Sequence, residues 1–190
     1  MSQYGAYNGR WAKIKTETKT AAPVYEPAIS LGAVSKVTDS LTFLNLRAEG
    51  DDRVQDSLDD FVSGTVDIEY NAGVSNEALA AVHGSTLDEE GGVAYSVDDK
   101  PPYGGYAFLR KVIHGSTKAF QGVFYTKIKA VPQGKDHNGK KTSGTVLTGD
   151  KIHANMEAPQ YGTYMEFSPE FETEAAADAW LDKKLPLKTS

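Results

Sequence analysis

The chain has 190 residues, a formal net charge of -6, 39% hydrophobic and 24% charged residues, and no cysteine. This composition suits one globular domain with a real core; it excludes disulfide frameworks and thiolate metal sites and argues against a general phosphate binder, whose surface would be basic. No apolar run approaches a membrane span and the start, "MSQYGAYNGRWAKIK", lacks an apolar h-region, so a soluble chain made in the cytosol is expected.

In chain order, "RWAKIKTE" and "KVTDSLTFLNLRA" read as strand segments. Next comes "EGDDRVQDSLDD" (49–60), six acids with one arginine, which is expected to be a solvated acidic loop. It is not an EF-hand loop, because Arg53 and Ser57 break the alternation of acids that calcium requires. "FVSGTVDIEY" (61–70) has period two. Val62, Val66, Ile68 and Tyr70 share one face, and Ser63, Thr65, Asp67 and Glu69 share the other, as in a strand with one buried face.

"VSNEALAAVHG" predicts a short helix with Ser75 or Asn76 as N-cap, Glu77 in its first turn and Gly84 as its stop. "GGYAFLRKVI" reads as a strand after the turn-rich "DDKPPYGG". "AFQGVFYTKIKAV" repeats the strand pattern, with Phe120, Phe124 and Ile128 expected opposite Gln121, Tyr125, Lys127 and Lys129. Then "KDHNGKKTSG" reads as a loop, and "TGDKIHANME" and "YGTYMEFS" as further strands. "TEAAADAWLDKKLP" predicts a C-terminal helix capped by Thr173, with Ala177, Trp180, Leu181 and Leu185 on one face. Glu174 at its start and Lys183 and Lys184 at its end suit the helix dipole, and Pro186 stops it. The pattern predicts a mainly β architecture: an antiparallel β-sandwich or open barrel with a short helix and a C-terminal helix.

Several motifs invite chemistry and do not sustain it. His-Gly-Ser-Thr occurs at 83–86 and at 114–117. The first ends a helix, with Gly84 as cap, and the second suits a hairpin turn at Gly115 and Ser116, so the recurrence is not a repeat. A serine nucleophile needs an oriented base and an oxyanion site, and no G-x-S-x-G elbow is present. The four histidines (His83, His114, His137, His153) have no zinc-ligand spacing. "GKDHNGKK" has the glycine and lysine spacing of a P-loop, but Lys141 stands where Ser or Thr must hold magnesium, and strand-like "SGTVLTG" follows instead of a helix. No catalytic residue, cofactor or metal site is therefore expected.

"LRAEGDDRVQDSLDDFVSGTVDIEYNAGVSNEALAAVHG" resembles the centre of the major tail proteins of long-tailed bacteriophages. In that family a strand end of the type L-x-A-[DE] leads into a loop, a G-x-[VI]-x-[IL] strand and a short helix, matched here from Ser75 to Gly84. "GGVAYSVDDKPPYGGYAFLRKV" is similar to the strand, turn and strand that follow, and "FYTKIKAVPQGKDHNGKKTSGTVLTG" to the next strand and long loop. "TEAAADAWLDKKL" resembles a frequent family C-terminus. The match spans roughly residues 40 to 185, and residues 1 to 35 match least.

The resemblance implies one tail-tube domain over residues 1–190, with an N-terminal arm (about 1–35) and an extended loop (about 131–144). It implies hexameric rings of the chain itself, stacked into the tail tube of a siphophage virion through which DNA is ejected. The tape measure protein, tail terminator and distal tail protein would be further partners, with no enzymatic activity and no membrane. DNA must pass without sticking, and an acidic wall repels phosphates. Asp67 and Glu69, with Glu49, Asp51, Asp52, Asp56, Asp59 and Asp60, are the candidate lumen-facing acids. Lys135, Asp136, His137, Asn138, Gly139, Lys140 and Lys141 form the candidate ring-stacking loop. The rival reading is a monomeric β-sandwich binding module, for example for carbohydrate, with Tyr103, Tyr106, Tyr161 and Tyr164 as its aromatics.

Overall fold

The computed structural model describes residues 2–50, 53–133 and 149–188. Among the described residues eleven strands and two helices follow one another: β1 (Ser2–Thr16), β2 (Val24–Tyr25), β3 (Ile29–Gly32), β4 (Val34–Gly50), β5 (Arg53–Tyr70), α1 (Asn76–His83), β6 (Thr86–Leu87), β7 (Val93–Ala94), β8 (Tyr103–His114), β9 (Thr117–Val131), β10 (Lys151–Met156), β11 (Met165–Phe167) and α2 (Glu174–Lys184). The main sheet runs β2-β1-β8-β9-β10-β5-β4, with β3 added to β1 and β11 to β9; β6 and β7 form a separate small hairpin. All the ladders are antiparallel. The fold is thus mainly β, a large antiparallel sheet with two helices.

The sheet curls because its principal core draws on nearly all of it. Trp11 (β1), Leu31 (β3), Ile68 (β5), Tyr106 (β8), Val123 (β9) and Ile152 (β10) belong to one buried cluster, joined by Leu79 and Val82 of α1. Strands that all send one face to a shared cluster must wrap around it, as in an open barrel. β-bulges supply the bend. In β1, Gly5 (φ 67°) and Asn8 (φ 55°) sit at the two places where its register against β8 shifts.

A second, smaller core covers the opposite face of β1, β8 and β9. Ala12, Ala107, Leu109 and Phe124 meet Ala177, Leu181 and Leu185 of α2 there. Thr173 caps that helix by accepting from the Ala176 amide, as expected, and Trp180 packs at the edge of the cluster. Arg10, 1% exposed, reaches through this layer. Its guanidinium donates to Asp178 at 2.6 Å and Asp182 at 2.5 Å, and Asn8 adds a bond to Asp178. Asp178 and Asp182 are one helical turn apart, so both reach the same cation.

The N-terminal segment holds β1, which pairs with β8 from Ser2↔Ile113 to Lys13↔Gly104. Three sequence expectations change. Val62 was grouped with the buried face of β5 but is exposed. Thr42 pairs with Ser63 and Phe43 with Phe61, so Val62 is the extra residue of a bulge and Phe61 takes the inward place. Likewise Phe124 lies in the second core and Ile128 in the first, because two residues of β9 oppose Gly105 between Gly104↔Ile128 and Tyr106↔Tyr125. The acidic stretch from Glu49 to Asp60, expected as a loop, is mostly strand, as described below.

α1 is capped by Ser75, which accepts from the Ala78 amide, and ends at left-handed Gly84 (φ 67°). β8 and β9 turn on Gly115 (φ 61°) and Ser116, flanked by the pair His114↔Thr117. A two-residue loop with positive φ at its first position is the favoured type II′ hairpin. Both copies of His-Gly-Ser-Thr therefore mark chain stops.

Candidate functional site

The most distinctive feature is the hairpin of β4 and β5. Its register runs from Val34↔Tyr70 to Gly50↔Arg53. The core ends near Leu41 and Phe61. From there the ladder continues for another nine residues of β4 and eight of β5, roughly 25 Å at about 3.3 Å per residue. Glu49 and Asp56 lie in this ladder, Asp59 opposite Asn45 and Asp60 opposite Leu44; Asp51 and Asp52 lie outside the described residues. The β5 side of this ladder is illegible in sequence because its acids interrupt any apolar alternation, whereas the β4 side reads as strand.

At the hairpin base apolar side chains remain uncovered on both faces. Phe43, 45% exposed, makes edge contacts with Phe61 and Tyr164, which stack at 3.9 Å between centroids. On the other face Leu44 (48%) and Val62 (54%) flank exposed Asp60. Among the described residues β4 pairs only with β5, leaving its other edge open. Open edges of this length are templates for pairing with another chain.

The predicted acids divide. Asp67 and Glu69 lie on the outward face of β5, while Val66 and Ile68 point into the core. Asp60 shares that outward face through the bulge at Val62, whereas Asp59 turns the other way and bonds Asn45. Cross-strand neighbours unseen in sequence complete the face. His153 Nδ1 is 2.6 Å from Asp67, Lys151 donates to Glu69 at 3.2 Å, and Lys36 is the partner of Glu69 on β4. The face is one of mixed charge, in which the acids offset the bases.

Beside the hairpin, a cleft of about 400 Å³ opens between β1 and β4. Ala6, Val37, Phe108 and Phe167 give it apolar walls, and Lys36, Asp39, Arg110 and Tyr125 are its polar groups. The Tyr125 hydroxyl donates to Asp39 at 3.1 Å. Arg110 donates through Nε and Nη2 to Gln121 (3.1 and 2.8 Å), and its guanidinium lies 4.6 Å from the Phe167 ring centroid. Burial lowers the Arg110 pKa from its usual value, partly offset by Asp39 and Glu170 nearby. Burial, reinforced by the Asp39 carboxylate, raises that of Tyr125. The cleft thus holds a neutral phenol and two cations against one carboxylate.

Other candidates do not converge. His114 faces Glu170 at 2.7 Å, not Ser116. Among the described residues no group of three or more His, Asp or Glu stands close enough to hold a metal. Tyr106 is fully buried, Tyr164 is stacked on Phe61, and Tyr103 lies beneath the ammonium groups of Lys127 and Lys129, so Tyr161 alone of the four tyrosines is well exposed. Among the described residues no helix is long and apolar enough to cross a membrane. Lys135 to Lys141, the expected stacking loop, lie outside the described residues.

No protein-family model matches this chain, and comparison with curated proteins found no match.

Proposed function

We propose that this chain is a structural subunit that assembles with copies of itself, as hexameric rings stacked into a siphophage tail tube through which DNA is ejected. The observation that carries the reading is the β4–β5 hairpin. It has an open edge, extends past the core, and leaves Phe43, Leu44 and Val62 uncovered at its base. A lone chain gains nothing from exposing them; neighbouring copies would bury them. The ordered motifs from about residue 40 to 185 supply the specific family. On the same resemblance the tape measure, terminator and distal tail proteins are the other partners, and the chain resides in the virion.

Asp67 and Glu69 serve DNA passage by cancelling cations. Lys36, Lys151 and His153 lie beside them, and an excess of unpaired lysines in a bore would hold phosphates. Negative-stain microscopy of the concentrated protein tests the reading, with rings or tubes the expected result. Imaging of the virion tail with the subunit fitted is decisive, and a tail shaft without this subunit would refute it.

A further inference from the structure

We infer that His153 makes the wall of the bore sensitive to pH: when its imidazole is protonated, the outward face of β5 and β10 turns from balanced to net positive and holds passing DNA back. The inference rests on the reading of that face as the bore wall, and adds its regulation. His153 sits mid-strand in β10, opposite Asp67 of β5 and Val131 of β9. Its Nδ1 lies 2.6 Å from the Asp67 carboxylate. Ile152 and Ala154 on either side are buried in the core, so the ring belongs to the outward face with Lys151 and Asn155.

The charges that face it come from every strand packed alongside. On β5 they are Asp67 and Glu69, and on β10 Lys151, which donates to Glu69 at 3.2 Å. β4 contributes Lys36, the partner of Glu69, while Thr38 stands across from Asp67. β9 contributes Lys129, across from Asn155, whose ammonium lies over the Tyr103 ring. The Tyr103 hydroxyl in turn donates to Glu157 at 3.0 Å. Lys127, further along β9, is paired with Glu17 at 3.0 Å. Three lysines thus meet three carboxylates around His153, and the imidazole decides the sign of the sum. Histidine changes charge between about pH 5 and 8, whereas carboxylates and ammonium groups ordinarily titrate outside that range. His83 is buried and His114 faces Glu170, so among the described residues no second histidine shares this face. In a hexameric ring, one added cation per chain repeats around the circumference, each a contact for phosphate.

Virions built from the unmodified chain, from His153→Asn or from His114→Asn are compared for the rate of DNA ejection between about pH 8 and about pH 5.5 at low salt. The double variant Asp67→Lys with Glu69→Lys, measured in parallel, reports whether the face lines the bore. Ejection from the unmodified and His114→Asn virions is expected to slow about twofold or more on acidification. His153→Asn should give a flat profile, because an amide keeps a hydrogen bond to Asp67 without gaining charge. Raising the salt should erase the difference. Circular dichroism of each purified chain checks the fold, and His153→Gln takes the place of the asparagine variant if that one fails to fold. If the double variant slows ejection but the unmodified profile is flat, or His153→Asn keeps the unmodified slope, His153 is not the sensor and the bore reading stands. If neither the double variant nor acidification alters ejection from intact tails, the face lies outside the bore and both fall.

Discussion

The Tyr125 hydroxyl donates to the Asp39 carboxylate at 3.1 Å, joining β9 to β4 across the cleft although the two strands are not neighbours in the sheet. The bond spans the place where the barrel is open and holds the hairpin strand over the core. Tyr125→Phe keeps the ring and removes the donor, and Asp39 is exposed enough to hydrate. A loss of about 1–2 kcal/mol is expected, read as a lower urea midpoint at unchanged slope. Asp39→Asn should cost a similar or smaller amount, because its amide oxygen still accepts.

Alkali should unfold the protein through its core phenols. Tyr70, Tyr106 and Tyr125 are almost fully buried, and burial raises the pKa of each above the ordinary tyrosine value. Such a group contributes its full stability below the unfolded pKa near 10 and loses it as pH climbs toward the folded value. The slope is at most about 1.4 kcal/mol per pH unit for each phenol. Phenolate absorbance should rise together with loss of near-ultraviolet dichroism. Ionisation of all ten tyrosines at their ordinary pH in a folded chain would contradict this.

Arg10 ties α2 to the sheet. Its guanidinium is 1% exposed, whereas Asp178 and Asp182 are 42% and 57% exposed. Arg10→Ala would leave the two carboxylates able to hydrate, so the cost should fall below that of a wholly buried pair, about 2–3 kcal/mol. Leu181→Ala, in the same layer with 0% exposure, should cost about 2–5 kcal/mol. Thermal unfolding of both variants checks the ranking.

Replacing Asp67 and Glu69 with lysine tests the bore. The change removes two negative charges and adds two positive ones per chain, beside Lys36, Lys151 and His153. Both residues are at the surface, so the fold should survive with a loss of about 1 kcal/mol or less. Tubes should still form, while DNA delivery slows, most at low salt where attraction is least screened. Unchanged ejection kinetics in a variant that assembles would place both residues outside the channel.

Removing Lys135 to Lys141 should separate folding from stacking. The segment holds three lysines, one glycine and no apolar residue, and shortening a loop changes closure entropy only slowly. Chain stability should stay within about 1 kcal/mol, and tube growth should stop. Tubes of normal length from this variant would refute the stacking role.

What could be read locally was legible in the sequence. Ser75 and Thr173 announce two helices because capping depends on neighbours three residues away, and Gly115-Ser116 announces a hairpin because turn chemistry is local too. The alternation from Gly64 to Tyr70 places Asp67 and Glu69 outward for the same reason. The tertiary structure decided what depends on distant partners. Bulges at Val62 and in β9 reverse which side chains face the core, and a bulge is a relation between two strands. α2 buries the second face of β8 and β9, which erases the alternation there. Arg10 finds carboxylates 168 and 172 residues away. The β5 side of the hairpin extension carries no apolar period, and its pairing with β4 is a relation between two strands that only the register reveals.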